Sequence, residues 1–207
     1  MVGQGVLREC LLDPEVESIL SIGRTPLPAS AKLQQIQLPS DFETIAPQLT
    51  GYDACSFVLG VSSAGMSEAE YARTTYDLTL AAATTLARLN PGMTFLYVSG
   101  MGTDSSEKGR TMWARVKGRT ENALLRLPFK AAYMFRPGFI QPLDGIQSKT
   151  ALYNAIYKIT APITPLLRKL FPGSVTTTEQ LGKAMLRVAK QGYAKPILEM
   201  KDITGLG

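Results

Sequence analysis

Histidine is absent from the 207-residue chain, and its absence excludes several catalytic mechanisms. Ser-His-Asp hydrolysis, Cys-His proteolysis and most zinc catalysis depend on an imidazole. Cysteine is also scarce, since Cys10 and Cys55 are the only two and both lie in apolar surroundings. A thiol in such surroundings usually behaves as a small hydrophobic side chain. We therefore expect no disulfide, no metal site and a reducing compartment.

Long hydrophobic runs are missing as well. No basic segment followed by an apolar run opens the chain, and no run reaches the roughly 20 apolar residues that a membrane span needs. These absences predict a soluble cytoplasmic protein without a membrane span. The sequence carries no signal for a particular oligomeric state.

What is present is the composition of an ordinary globular protein, with 45% hydrophobic residues and a net charge of +5. A chain of this length can bury a core and form one domain. The basic residues cluster at Lys108, Arg110, Arg115, Lys117 and Arg119. This cluster is interpreted first as a solvated helix face, and second as an attraction for an anionic cofactor or substrate. No nucleic-acid reader motif accompanies it, so no nucleic-acid partner is expected.

Strand-like and helix-like segments alternate along most of the chain, which predicts a parallel sheet with helices on both faces. The expected fold class is therefore a doubly wound, Rossmann-like α/β fold. A helix is predicted first, over Val2 to Leu12. The predicted strands are Val16 to Ile22, Leu33 to Leu38, Asp53 to Gly60, Met93 to Val98, Ala131 to Phe135 and Pro196 to Glu199.

Three further helices are predicted from capping and stop signals. A long helix begins at the capping box Ser67-Glu-Ala-Glu70 and ends at Asn90-Pro91-Gly92. The next helix carries Trp113 and Lys117 and runs to about Leu127, before Pro128. The last begins near Thr176 to Thr178, where Thr176-Thr-Thr-Glu179 forms another predicted capping box.

The opening Met1-Val2-Gly3-Gln4-Gly5-Val6 resembles the back half of a dinucleotide-binding turn, with Gly3 as its last glycine. The front half, a strand and two more glycines, is absent from the sequence. Arg24 strengthens the interpretation, because it follows the next predicted strand near the usual interval of roughly 20 residues. An arginine there pairs with the 2′-phosphate of NADP, so NADP is preferred over NAD. The alternatives are helix-start glycines and an exposed turn arginine without special function.

Trp113 and Lys117 lie one helical turn apart and so share a helix face. The segment Trp113-Ala-Arg-Val-Lys117-Gly118-Arg-Thr-Glu121 is similar to the pattern Tyr-x-x-Val-Lys-Gly-x-x-Glu of the Tat-interacting-oxidoreductase-like group. The chain thus resembles the atypical or extended branch of the short-chain dehydrogenase/reductase superfamily, the NAD(P)-binding, epimerase-like proteins. The resemblance runs from Gly3 to about Lys190 and is most specific at Val98-Ser99-Gly100, Val116-Lys117-Gly118 and Arg136-Pro137-Gly138.

The resemblance implies a role for each matching position. Ser99 would hydrogen-bond a substrate carbonyl or hydroxyl, and Lys117 would hold the nicotinamide ribose. The remaining implied positions are Pro137 and Gly138 beside the nicotinamide, Asp41 beside the adenine and Gly60 beside the adenosine ribose. The alternatives are a strand-end hydroxyl at Ser99 that satisfies local backbone and a solvated helix lysine at Lys117.

Two departures from the family pattern affect the expected chemistry. The catalytic tyrosine position holds Trp113, whose indole donates a hydrogen bond but cannot cycle a proton. Nearby candidates for a proton donor are Tyr97, Thr103, Asp104 and Ser105. The second departure is the missing first strand, which is central in this fold. Its absence should separate the neighbouring strands, and it suggests that the natural start of the chain lies upstream.

Regular alternation stops after Gly138, in a segment that contains Pro142, Pro162 and Pro165 and an amphipathic stretch over residues 152–170. We interpret residues 1–140 as a dinucleotide-binding core that is incomplete at its N-terminus. Residues 141–207 are interpreted as a small substrate-side lobe and the terminal helix of the same domain. A packing helix pair without ligand contact is the alternative for the lobe.

The sequence therefore predicts an NADP-dependent oxidoreductase or epimerase-like protein that acts on a small carbonyl or hydroxyl substrate. The alternative is a non-catalytic NADP(H)-binding sensor or interaction module, because of Trp113. A truncated form that binds no cofactor is a third possibility.

Overall fold

The computed structural model describes residues 1–143 and 175–207, so most of the predicted substrate-side lobe lies outside the described residues. The helices in chain order are α1 (Val2–Leu12), a 3₁₀ helix (Phe42–Leu49), α2 (Glu68–Ala72), a π-helical segment (Arg73–Asp77), α3 (Leu78–Leu89), α4 (Met112–Leu124), α5 (Thr178–Gln191) and α6 (Met200–Leu206). The strands are β1 (Ile19–Gly23), β2 (Leu33–Gln37), β3 (Ala54–Phe57), β4 (Thr94–Val98), β5 (Ala131–Arg136), β6 (Phe139–Gln141), β7 (Val175–Thr177) and β8 (Ile197–Glu199).

The centre of the molecule is a four-stranded parallel sheet in the order β3-β4-β5-β8. Its central strand β4 is almost entirely apolar, as expected for a parallel strand that is covered on both faces. Successive side chains of β4 point to opposite faces, so Phe95 and Tyr97 enter one core and Leu96 enters the other.

Helices cover both faces of this sheet, which confirms the predicted doubly wound class. On one face α1 and α5 pack closely together, and the core includes Val6, Leu181 and Leu198. On the other face the 3₁₀ helix, α3 and α4 contribute Leu49, Ala83 and Leu124 to a second core. Among the described residues, no helix is long and apolar enough to cross a membrane.

The strands do not all join one sheet. β1 pairs only with β2, in a separate parallel pair, and β6 pairs with β7 in another. The division between β1 and β3 is the separation of neighbouring strands that the sequence analysis expected. The β6–β7 pair was not predicted, because each strand is only three residues long and offers no alternation to recognise.

Helix termini follow the predicted signals with one correction. Ser67 and Glu70 form the expected reciprocal capping box, and the long helix ends at Asn90. The predicted box at Thr176 is wrong by one residue. Thr176 still pairs within β7, so Thr177 is the N-cap, and its hydroxyl accepts a hydrogen bond from the backbone N–H of Gln180 at 3.0 Å.

Close packing of α1 on α5 depends on two glycines that the sequence analysis did not single out for this role. A Cβ atom on Gly5 would lie 2.6 Å from the carbonyl oxygen of Thr178. A Cβ atom on Gly182 would lie 2.9 Å from the carbonyl oxygen of Gly5. The two backbones therefore approach more closely than any larger residue permits.

Candidate functional site: a cleft at the carboxyl ends of the strands

A cleft of about 2030 Å³ runs along β1 and β3, and its lining includes the residues that follow the carboxyl ends of β3, β4 and β5. Residues that are far apart in the chain, from Gly3 to Gly138, lie together on its wall. The predicted site residues that line it are Gly3, Arg24, Gly60, Ser99, Lys117, Pro137 and Gly138. Trp113 and Asp41 are the two predicted site residues that do not line it.

Gly3 and Arg24 lie on the α1 and β1 side of the cleft. A Cβ atom on Gly3 would come within 3.1 Å of the Val58 side chain, so this glycine lets the first turn of α1 approach the end of β3. Arg24 follows β1 directly and is exposed. No described carboxylate forms a salt bridge with its guanidinium group, which leaves the cation available to an anion from solution.

Ser99 follows the last residue of β4 and is only 4% exposed. Its hydroxyl oxygen lies 2.5 Å from Glu121 Oε1 and 3.1 Å from the carbonyl oxygen of Phe135. A hydroxyl has one hydrogen, and its shortest contact is with the carboxylate, so Ser99 donates to Glu121 and keeps its lone pairs as acceptors. The hydroxyl group of Ser99 thus contacts protein groups at the end of β4, much as in the alternative interpretation of Ser99 as a structural strand-end residue.

Lys117 reaches from α4 across to the same strand end, where its ammonium group donates a hydrogen bond to the carbonyl oxygen of Ser99. Burial lowers the pKa of Lys117 to about 8, although the negative charge of Glu121 opposes this change. The lysine is therefore not a solvated helix residue. Its proton is held weakly enough to be exchanged near neutral pH.

Glu121 and Arg136 form the charged pair beneath this strand end. Glu121 is fully buried, and Arg136 donates to both of its carboxylate oxygens, from Nε at 3.0 Å and from a terminal nitrogen at 2.5 Å. The remaining donors of the guanidinium reach Ser105 Oγ at 2.5 Å and Glu199 Oε1 at 3.1 Å. The interaction with Glu121 is the main cause that raises the pKa of Arg136, so this cation is permanent.

Glu121 and Arg136 both lie in motifs of the sequence analysis, but the analysis predicted no role for either residue. The available signal was spacing, because Glu121 lies one turn after Lys117 and therefore on the same side of α4. A second signal was Arg136, a charge at the end of an apolar strand. Neither signal says that the two side chains meet, since 15 residues separate them in the chain.

Trp113 lies in the first turn of α4, away from the cleft wall. Its indole packs in a small apolar cluster with Tyr71 and Val116, and a Cβ atom on Gly102 would lie 3.6 Å from the ring. Asp41 is likewise engaged elsewhere. It is the N-cap of the 3₁₀ helix, and its carboxylate accepts a hydrogen bond from the Glu43 backbone at 3.0 Å.

The other candidates for a proton donor are all committed to structural contacts. Tyr97 is 1% exposed, and burial raises its pKa well above the ordinary value. Thr103 donates to the Gly100 carbonyl at 2.7 Å, and Ser105 accepts from Arg136. Hydrogen bonds from Ser106 and from the Gly109 backbone lower the pKa of the Asp104 carboxyl group.

Asp104 also explains why glycine follows the lysine of the motif. A Cβ atom on Gly118 would lie 1.8 Å from the carbonyl oxygen of Asp104, a distance that no side chain can occupy. The loop between β4 and α4 therefore packs directly on the backbone of α4 at Gly118, the residue next to Lys117. Within the described residues, no group of three or more His, Cys, Asp or Glu side chains could hold a metal ion.

Replacing Glu121 with glutamine should destabilise the protein strongly, because Arg136 would then lose its buried counter-charge and keep only the ion pair with the half-exposed Glu199. We expect the free energy of unfolding to fall by about 3–5 kcal/mol in urea denaturation followed by circular dichroism. Glu68→Gln is the matched control, since it removes the same charge from the solvent-exposed pair with Arg115. Equal losses in the two variants would show that burial of the Glu121 pair is unimportant.

The lowered pKa of Lys117 predicts a particular dependence of stability on pH. Between about pH 8 and the unperturbed pKa near 10.4, the unfolded chain keeps the proton that the folded chain has lost. The contribution of Lys117 to the free energy of unfolding therefore rises with pH in that window and does not change with pH below it. In urea titrations, the free energy of unfolding of the wild type should increase relative to Lys117→Met across the window. Parallel pH profiles would contradict the assignment.

No described protein family matches the sequence, and no curated protein matches it. Solved structures do match. UDP-N-acetylglucosamine 4-epimerase from Bacillus cereus is 13% identical with a TM-score of 0.63, over 99% of this chain and 78% of the epimerase. A short chain dehydrogenase family protein from Francisella tularensis is 13% identical with a TM-score of 0.60, over 92% and 87% of the two chains.

A third structure carries ligands. The Bordetella bronchiseptica enzyme WbmG, in complex with NAD and UDP, is 14% identical with a TM-score of 0.62, over 99% of this chain and 73% of that enzyme. At such identities the likeness concerns the fold. The chain has the Rossmann-like α/β fold of epimerase and short-chain dehydrogenase/reductase structures, as its sequence predicted.

Proposed function

We propose that the chain binds a nicotinamide dinucleotide, NADP in preference to NAD, and acts as an oxidoreductase or epimerase-like enzyme on a small carbonyl or hydroxyl substrate. The observation that carries this proposal is the convergence on one cleft of Gly3, Arg24, Ser99, Lys117 and Gly138. Elements far apart in sequence supply these residues. The related fold of WbmG, a protein solved with NAD, supports the same class of cofactor.

The chemistry of the cleft wall fits such a cofactor. Two cations of the cleft wall, Arg24 and Lys117, lie on different elements, as an elongated anionic ligand requires. The start of α1 also lines the cleft, and helix N-termini favour phosphate groups. Gly60 is exposed and carries no side chain that would fill the opening.

Preference for NADP rests on Arg24. A guanidinium group can pair with the 2′-phosphate of NADP, whereas a carboxylate at this position would accept a hydrogen bond from the ribose hydroxyl of NAD. No described acidic side chain competes for the Arg24 guanidinium, so the cation is available to a phosphate.

The nicotinamide would supply or accept the hydride, and the chain would handle the proton. Trp113 cannot serve, and the other candidates near it are engaged in structural contacts. Lys117 lies beside Ser99 on the cleft wall, and its lowered pKa of about 8 is near working pH, where a general acid is most effective. Ser99 donates its hydrogen to Glu121 and so would bind a substrate hydroxyl as an acceptor.

Arg24→Glu tests the choice of cofactor. We expect the dissociation constant for NADPH to rise at least about tenfold, because a charge-assisted hydrogen bond contributes about 1.5–3 kcal/mol. The constant for NADH should change far less, as measured by cofactor fluorescence titration. Arg126→Glu is the control, since Arg126 is exposed and does not line the cleft. Equal affinity of the wild type for NADH and NADPH would contradict the proposed preference.

A second candidate function is a non-catalytic NADP(H)-binding sensor or interaction module. The position of Trp113 favours it, because the indole is packed in an apolar cluster and offers no exchangeable proton to the cleft. Binding of NADPH without turnover of any carbonyl substrate would support this candidate over the enzyme.

Lys117→Arg separates the two candidates. A guanidinium keeps the positive charge beside Ser99 but gives up no proton near working pH, so an enzyme should lose about 10²-fold in NADPH oxidation against a panel of carbonyl compounds, the usual effect of a positioned acid. Lys108→Arg is the control, because Lys108 is exposed and does not line the cleft. Bound NADPH with no oxidation in all three proteins would favour the binding module.

A further inference from the structure

The side chain of Met101 is exposed on the cleft wall. Among the large apolar side chains of the described residues, three are exposed, those of Leu12, Met101 and Leu125. Of these three, Met101 alone lines the cleft, and it is 55% exposed. A single exposed apolar side chain is common on protein surfaces. What distinguishes Met101 is the fixed backbone on which it lies and its position beside Lys117.

A tight turn fixes the backbone of Met101. The carbonyl oxygen of Gly100 accepts hydrogen bonds from the backbone N–H of Thr103 at 3.2 Å and from its hydroxyl group at 2.7 Å, so residues 100–103 form a β-turn with Met101 at its second position. Gly102, at the third position, has a φ of 85°, which favours glycine. The N–H of Met101 donates to the carbonyl oxygen of Pro137 at 2.9 Å. These bonds use backbone atoms of Met101 only, which leaves its side chain available to a ligand.

Trp113 supports this turn from α4. A Cβ atom on Gly102 would lie 3.6 Å from the indole ring, so the ring lies next to the backbone of the turn. Trp113 in turn packs with Tyr71 and Val116, both of which are buried. The position of Met101 is therefore set by packing as well as by hydrogen bonds.

Met101 also lies close to Lys117. The ammonium group of Lys117 donates a hydrogen bond to the carbonyl oxygen of Ser99, two residues before Met101. Adjacent Cα atoms are about 3.8 Å apart, so the Cα atoms of Ser99 and Met101 are separated by less than about 8 Å. A small substrate whose carbonyl group contacts Lys117 is therefore long enough to contact Met101 as well.

We propose that the substrate of this cleft carries an alkyl or aryl group without hydroxyl groups beside its reacting carbonyl or hydroxyl group, and that Met101 contacts this apolar group and determines specificity. The flexible, polarizable thioether of methionine adapts to apolar groups of irregular shape. Hydroxyl groups packed against it would lose water without gaining a good partner, since a thioether sulfur is only a weak acceptor. The site should therefore select against polyhydroxylated substrates.

This inference rests on the proposed function, because it assigns the substrate class of the same cleft. The cofactor and the substrate group nevertheless use different residues. Arg24 is assigned to the cofactor phosphate, whereas Met101 is assigned to the apolar group of the substrate. Cofactor binding and substrate preference can therefore be measured separately.

The test compares cyclohexanone with myo-inosose, the same ring ketone with a hydroxyl group on each remaining ring carbon. The full chain is isotopically labelled at its methionine methyl groups for NMR, and NADP⁺ is added so that no hydride is transferred. We expect the methyl resonance of Met101 to shift saturably with cyclohexanone. The dissociation constant for myo-inosose should be at least about tenfold higher, because an apolar contact changes discrimination by roughly 10- to 200-fold.

Met101→Gln tests the residue itself. Glutamine keeps the length and flexibility of the side chain but replaces the thioether with an amide, so the dissociation constant for cyclohexanone should rise at least about tenfold. Leu12→Gln is the matched control, since Leu12 is 64% exposed but does not line the cleft. Its affinity for cyclohexanone should equal that of the wild type. Circular dichroism should show native spectra for both variants, because neither side chain lies in a described core.

Equal binding of the two ketones by the wild type would overturn the apolar substrate class. Equal binding of cyclohexanone by the wild type and Met101→Gln, or no binding of cyclohexanone at all, would overturn the assignment of Met101. Fluorescence titration of the same samples with NADPH tests the proposed function separately. Failure to bind NADPH would overturn the proposed function, whereas NADPH binding together with a preference for myo-inosose would overturn only the present inference.

Discussion

Glu121 is a fully buried carboxylate, and the arrangement at the carboxyl ends of β4 and β5 depends on its neutralisation by Arg136. The pair joins α4 to β5, and Glu121 also accepts a hydrogen bond from the hydroxyl group of Ser99, the residue that follows β4. Lys117, one turn before Glu121, is thereby placed over the same strand end. A buried ion pair is not always stabilising by itself, but removing one partner is costly, so the three elements are held to one geometry.

The cleft combines two different surfaces in one cavity. One part presents cations, the start of a helix and small residues. Along the strands the cleft is lined by the edges of β1 and β3 between apolar helix faces. The division follows from the topology, because the loops at the carboxyl ends carry the polar groups while the strands themselves carry the core.

Much of the fold could be predicted because the relevant signals are local. The continuous apolar run of β4 and the Ser67–Glu70 capping box depend on residues within one or two turns of each other. The error at Thr176 arose where two local preferences competed, since a threonine can cap a helix or extend a strand, and pairing with β6 decided for the strand. The close contact of Gly5 with α5 could not be predicted, because the partner helix begins more than 170 residues later.

The sequence by itself determined the order of six of the eight described strands and of the longer helices, the exclusion of imidazole chemistry and the position of Arg24 just beyond a strand end. These properties follow from residue types and short-range periodicity. Only the tertiary structure decided that Trp113 packs away from the cleft, that Glu121 meets Arg136 and that the sheet divides between β1 and β3. Whether a charge is desolvated and whether a strand edge is paired both depend on which distant segments of the chain pack together. Short-range sequence patterns do not contain that information.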